Sequence, residues 1–148
     1  MNEFLYQLDA LCKSTNNKVA MLANASALLN EHIDDINWVG FYLFNNGELV
    51  LGPFQGKVAC SKIAIGKGVC GTAYEKKMLL NVDNVHEFVG HIACDSNTNS
   101  EIVIPLIHNG KRFGVLDIDS ISYSRFDAAL EDELQEAANI ISMHLDNK

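Results

Sequence analysis

Four cysteines, Cys12, Cys60, Cys70 and Cys94, and three carboxylates, Glu101, Asp117 and Asp119, are the residues whose types could do chemistry in this chain. A thiolate is a nucleophile and a two-electron reductant, and a carboxyl at the rim of an apolar strand is a candidate proton donor. No CxxC pair occurs, so neither a thioredoxin-like dithiol nor a zinc ribbon is indicated. His91 precedes Cys94 by three residues, and a site with Cys60 or Cys70 can be drawn, but no paired ligand spacing supports it and no metal is expected. Cys12 adjoins Leu11 in a stretch of helical periodicity, which suits a buried, inert thiol. Cys60, Cys70 and Cys94 lie in glycine-rich or polar sequence, where spacing alone leaves a small buried residue and a reactive thiol equally open.

In Gly114-Val115-Leu116-Asp117-Ile118-Asp119-Ser120, a strand would project Asp117 and Asp119 to one face and Leu116 and Ile118 to the other. Two parallel carboxylates repel, and burying them without a cation is costly. They therefore read either as a solvated strand end or as a paired-anion site for an ammonium group or a metal such as magnesium. Glu101 opens the run Ile102-Val103-Ile104 and reads as the proton donor or as the solvated first residue of that strand. Trp38 and Tyr42 share a strand face with Gly40 between them, an arrangement for core packing or for a groove that admits a flat or apolar ligand.

The elements that must position these residues follow from periodicity. Glu3 to Cys12 reads as a short helix, and Lys18 to Ile36 carries an apolar stripe near 3.6 residues per turn. Trp38 to Phe44 and Glu48 to Phe54 read as strands joined at Asn45-Asn46-Gly47, because Asn and Gly tolerate positive φ. A glycine-rich stretch from Gly56 to Gly71 leads to a short helix at Thr72 to Lys77 and a brief strand at Met78 to Val82. Residues 83–100 form a long polar loop, of a length more often functional than idle. Glu101 to His108 and Arg112 to Asp119 pair across Asn109-Gly110, and Asp127 to Leu145 closes the chain as a helix with Asp127 as its cap. Hairpins between terminal helices predict an α+β domain with a central antiparallel sheet. The N- and C-terminal helices are expected on one face, with loops covering a pocket on the other.

The chain has 148 residues, 48% hydrophobic and 20% charged, which is globular composition with room for one domain. No internal repeat or linker is visible, so residues 1–148 are read as a single domain. Lys and Arg number 11 against 19 Asp and Glu, a net charge of −8 that disfavours nucleic acid as a partner. No apolar run is long enough to span a membrane, and the acidic start MNEFLYQLDA lacks the features of a signal peptide, so a cytoplasmic location is expected.

Six segments, taken in order, resemble one family. They are Asn37-Trp38-Val39-Gly40-Phe41-Tyr42, Leu51-Gly52-Pro53-Phe54-Gln55-Gly56 and Gly66-Lys67-Gly68-Val69-Cys70-Gly71-Thr72-Ala73 in the first half. His91-Ile92-Ala93-Cys94-Asp95-Ser96, Ser100-Glu101-Ile102-Val103-Ile104-Pro105 and the segment from Gly114 to Ser120 complete the set. Together they are similar to the free methionine-(R)-sulfoxide reductases, which are stand-alone GAF domains. The resemblance implies thiol-dependent reduction of free L-methionine (R)-sulfoxide, with no bound cofactor and with thioredoxin as external reductant. It implies that Cys94 is the nucleophile, and that Cys60 or Cys70 resolves its sulfenic acid, with Cys60 favoured. Glu101 matches the acid for the sulfoxide oxygen, Asp117 and Asp119 the holders of the α-ammonium, and Trp38 and Tyr42 the wall around the S-methyl group. A homodimer is also implied. Val89 departs from the pattern, standing where the family usually has proline, and Asp95 beside Cys94 should oppose thiolate formation. The alternative is a non-catalytic GAF small-molecule-binding or sensor domain, because fold alone does not prove activity.

Overall fold

The computed structural model describes residues 1–92 and 94–148; Ala93, part of the motif that carries Cys94, lies outside the described residues. The elements in chain order are α1 (Glu3–Lys13), α2 (Lys18–His32), β1 (Trp38–Asn45), β2 (Glu48–Gly56) and β3 (Lys62–Ala64). There follow α3 (Gly68–Lys76), β4 (Leu80–Val82), a 3-10 turn (Val85–Glu87), β5 (Ser100–His108), β6 (Lys111–Ser120) and α4 (Ala128–Asp146). The six strands form one sheet in the order β3-β2-β1-β6-β5-β4, with every neighbouring pair antiparallel.

Side-chain alternation assigns each face of that sheet. Val39 and Phe41 of β1, Ile102, Ile104 and Leu106 of β5, and Leu116 and Ile118 of β6 pack in one apolar cluster with α1, α2 and α4. The intervening positions, Trp38, Tyr42, Val103 and Val115, belong to a second cluster with Val69, Cys70, Ala73 and Tyr74 of α3. The expected α+β arrangement, with terminal helices on one face and loops on the other, is present. Asp127 caps α4 as expected, accepting from the Leu130 backbone N–H, and the structure adds two further caps, with the Asn2 and Asn17 side chains accepting from the backbone N–H groups of Leu5 and Ala20.

Three local differences from expectation have physical causes. Helix α2 ends at His32 rather than Ile36, because the next residues are bonded elsewhere. Arg125 donates to the Asp34 carbonyl at 2.7 Å, and the Ser120 hydroxyl donates to the Asp35 carbonyl at 2.7 Å. Helix α3 begins four residues before Thr72, at Gly68, and its glycines serve close packing. A Cβ on Gly71 would lie 2.4 Å from the Ala64 carbonyl oxygen. Strand β3, three residues paired with Glu48–Val50, is too short for its sequence pattern to announce. In β2, Pro53 falls where the β1–β2 register shifts, a place where its missing N–H breaks no ladder.

Candidate active site

Register places the carboxylates before any side-chain contact is considered. Asp119 pairs with Trp38 on one side and Glu101 on the other, so these three form one row across β1, β6 and β5. The next row is Gly40, Asp117 and Val103. Cross-strand partners on one face stand roughly 4.5–5.5 Å apart at Cβ, which brings Glu101, Asp117 and Asp119 together on the face away from the terminal helices. Gly40 keeps the β1 end of this row low, since a Cβ there would meet Phe54 Cβ at 2.3 Å and Trp38 Cη2 at 2.9 Å.

Neither Glu101 nor Asp117 is a solvated strand end: they are 6% and 5% exposed. Burial pushes the carboxyls of Glu101, Asp117 and Asp119 well above the usual carboxylate range, and the neighbouring acid adds to the rise, Asp117 at Glu101, Asp119 at Asp117 and Glu101 at Asp119. The three carboxyls perturb one another, so their protons belong to the cluster rather than to one side chain. As acceptors, Asp117 Oδ1 and Asp119 Oδ1 are buried without a donor. A positively charged group entering the pocket would satisfy them.

Cysteines surround this floor at different depths. Cys60 and Cys94 form a disulfide with their Cα atoms 5.6 Å apart. Cys94 is exposed at the pocket rim and Cys60 is half-buried. Cys70 is a free thiol at the start of α3, buried against the acids, and burial followed by the Asp117 charge pushes its pKa far up. Cys12 is free and buried among the terminal helices, where burial raises it to about 11. Among the described residues, Cys70, Glu101 and Asp117 also bring donor atoms within 4.8 Å of one another. That spacing would admit a small divalent cation, but an ammonium group answers the orphaned oxygen of Asp119 as well.

Trp38 and Tyr42 stack at 5.9 Å between centroids and form the apolar wall of the same pocket. Their polar ends do further work that the sequence did not announce. Trp38 Nε1 donates to the Lys57 carbonyl at 3.2 Å, and Tyr42 Oη donates to the Cys60 carbonyl at 2.9 Å. Burial holds the Tyr42 phenol protonated. Both aromatics thus fasten the segment that carries Cys60. The segment after Cys94 is fastened by Asn37, whose Nδ2 donates to Asp95 Oδ2 and Thr98 Oγ1, each at 3.1 Å. The other Asp95 oxygen accepts from the Asn97 backbone N–H at 2.9 Å. These donors spread the Asp95 charge that would otherwise oppose a thiolate at Cys94. Val89 is 95% exposed and its side chain supports nothing. His91, weighed in sequence only as a metal ligand, lines the pocket with Nε2 3.8 Å from Glu101 Oε1.

The profile of the GAF domain matches residues 20–146, and the sheet order and loop-covered pocket are those of that class. The chain is 53% identical over 118 residues to the free methionine-R-sulfoxide reductase of Escherichia coli, covering 80% of this chain and 72% of that one. It is 45% identical over 150 residues to the enzyme of the same name from Saccharomyces cerevisiae, covering 96% and 83%. The X-ray structure of free methionine-R-sulfoxide reductase from Neisseria meningitidis in complex with its substrate superposes with a TM-score of 0.93, at 42% identity, over 97% of this chain and 87% of that one. The chain belongs to the free methionine-R-sulfoxide reductase family.

Proposed function

We propose that the protein reduces free L-methionine (R)-sulfoxide to L-methionine. The observation that carries this reading is the pairing of an exposed, disulfide-forming Cys94 with a floor of acidic side chains whose buried oxygens lack donors, in one pocket. The Cys94 thiolate attacks the sulfoxide sulfur while Glu101 protonates the oxygen, which leaves poorly without a proton. General acid catalysis of this kind supplies roughly 10²–10⁴-fold. Methionine departs, and Cys94 is left as a sulfenic acid. The Cys60 thiol then displaces water from it to form the disulfide, and a dithiol such as thioredoxin reduces that bond by exchange.

Asp117 and Asp119 hold the α-ammonium of the substrate. This selects the free amino acid, because a methionine sulfoxide inside a peptide brings no charge to satisfy them. Trp38 and Tyr42 receive the S-methyl group, at roughly 0.3–1.5 kcal/mol per sulfur–aromatic contact. The scheme needs no bound cofactor, since both electrons come from Cys94 and Cys60. We expect the whole span 1–148 to act as one domain, as a homodimer and in the cytoplasm; among the described residues no helix is long and apolar enough to cross a membrane. The alternative reading, a GAF sensor without chemistry, gives the Cys60–Cys94 bond no task. Both are tested by NADPH consumption with thioredoxin and thioredoxin reductase. Free L-methionine (R)-sulfoxide should be turned over, and the (S)-epimer and the N-acetylated (R)-substrate should not. Ligand binding with no turnover would establish the sensor.

A further inference from the structure

The reduction is balanced without any proton from solvent. A thiol and a sulfoxide become a sulfenic acid and a thioether, so the hydrogen lost by Cys94 sulfur is the hydrogen gained by the departing oxygen. Cys94 sulfur is oxidised by two electrons, the substrate sulfur is reduced by two, and the oxygen passes from one to the other. A group that reaches from the rim, where Cys94 lies, toward Glu101 on the floor would hand that proton over without exchange through solvent.

We propose that His91 is the proton-relay residue of this site, taking the Cys94 thiol proton and passing it to Glu101 as Glu101 protonates the sulfoxide oxygen. The inference rests on the reductase reading above. Its basis is position. His91 lies three residues before Cys94 on the same connection, lines the same pocket, and is mostly shielded from solvent. Its Nε2 is 3.8 Å from Glu101 Oε1, a separation that one small movement converts to a hydrogen bond. Catalytic hydrogen bonds in unliganded sites are often long and tighten in the complex. The His91 backbone N–H donates to the Phe88 carbonyl at 3.2 Å, which fixes the residue while the ring stays available. Among the described residues, no side-chain hydrogen bond engages that ring.

The charge states suit a relay. Burial, and secondarily His86, hold the His91 imidazole below its usual pKa, while burial and Asp117 hold Glu101 above its own. Both shifts favour the neutral imidazole and the protonated carboxyl, the pair of states between which one proton can move in either direction. The other titratable groups lining this pocket are Tyr42 on β1, Lys67 before α3, Cys70 on α3, Asp95 beside Cys94, and Asp117 and Asp119 on β6. Lys67 is exposed and Glu101, Asp117 and Asp119 lie on the floor, so His91 is the imidazole that lines the pocket with both Cys94 and Glu101.

The test is a single-turnover burst of methionine from pre-reduced protein mixed with free L-methionine (R)-sulfoxide, followed against pH. Wild-type, His91→Gln and His91→Ala proteins are compared. The relay predicts a burst slowed about 10²-fold at neutral pH in both variants, with the substrate dissociation constant unchanged. It also predicts recovery toward alkaline pH, where the thiol ionises unaided, and partial rescue of His91→Ala by free imidazole. Wild-type burst rates and pH profile in both variants would overturn the relay. So would a slowed burst that neither alkali nor imidazole restores, which marks a structural residue. A wild-type protein that releases no methionine would overturn the reductase reading instead.

Discussion

Tyr42 donates its phenolic hydrogen to the backbone carbonyl of Cys60 at 2.9 Å, joining the strand that walls the pocket to the loop that holds half of the disulfide. The side chain that we propose receives the S-methyl group is thereby also a strut for Cys60, the proposed resolving cysteine. Trp38 repeats the device through Lys57. Two hydrogen bonds thus tie the aromatic wall to the segment that holds Cys60.

Removing that strut separates its two tasks. Tyr42→Phe keeps the ring and deletes one hydrogen bond, worth about 0.5–1.5 kcal/mol. KM for the sulfoxide should change little, whereas the Cys94 sulfenic acid should resolve more slowly, by up to about tenfold. Dimedone trapping over time measures this, with more adduct expected in the variant. Equal trapping in the two proteins would make the Tyr42–Cys60 bond incidental to resolution.

The cysteines should sort by depth. In the reduced protein, Cys60 and Cys94 should react with a small alkylating agent at neutral pH, while Cys12, raised to about 11, and the buried Cys70 stay unlabelled. Cys60→Ser should still release one methionine per chain but stall as a sulfenic acid, and Cys70→Ser should keep turning over. Mass mapping of labelled peptides decides the first point, and burst and steady-state assays the second. A stalled Cys70→Ser protein would make Cys70 the resolving thiol.

Much of this site was legible in the sequence because it rests on strands, where period and register are simple. The spacing of Asp117 and Asp119 gave their common face, and that of Trp38 and Tyr42 gave theirs. What spacing could not supply was depth: whether Asp117 was solvated or 5% exposed depended on α3 and the loops folding over that face. Glycine misled at Gly68 and Gly71, which read as loop but let a helix pack against Ala64 and Ile92. The choice between Cys60 and Cys70 lay beyond local pattern, because it turns on a contact 34 residues apart in sequence. The contacts of Asn37 with Asp95 and Thr98, and the place of His91 beside Glu101, were hidden for the same reason.

The buried acids make a pH prediction. Their folded-state pKa values are raised above the usual carboxylate range, so the folded chain binds more protons than the unfolded one above that range. Stability is then fullest at or below the ordinary carboxylate range and is lost as pH climbs toward the raised values. The unliganded protein should melt at lower temperature at pH 8 than at pH 5, and methionine, which brings an ammonium, should lessen the loss. Asp117→Asn should flatten the dependence and stabilise the protein at neutral pH by about 0.5–2 kcal/mol, while weakening substrate binding. Melting curves across pH check both parts; a variant with the wild-type slope would remove Asp117 from the account.

The central claim is that Cys94 reduces the free amino acid and Cys60 closes the cycle, and thiol counting in one turnover tests it most directly. Pre-reduced protein, freed of reductant, is mixed with excess free L-methionine (R)-sulfoxide. The account predicts one methionine released per chain and the loss of two of its four thiols. The remaining two should map to Cys12 and Cys70, and no methionine should be released by Cys94→Ser. Four thiols remaining with no methionine formed, or equal reduction of the N-acetylated substrate, would contradict it.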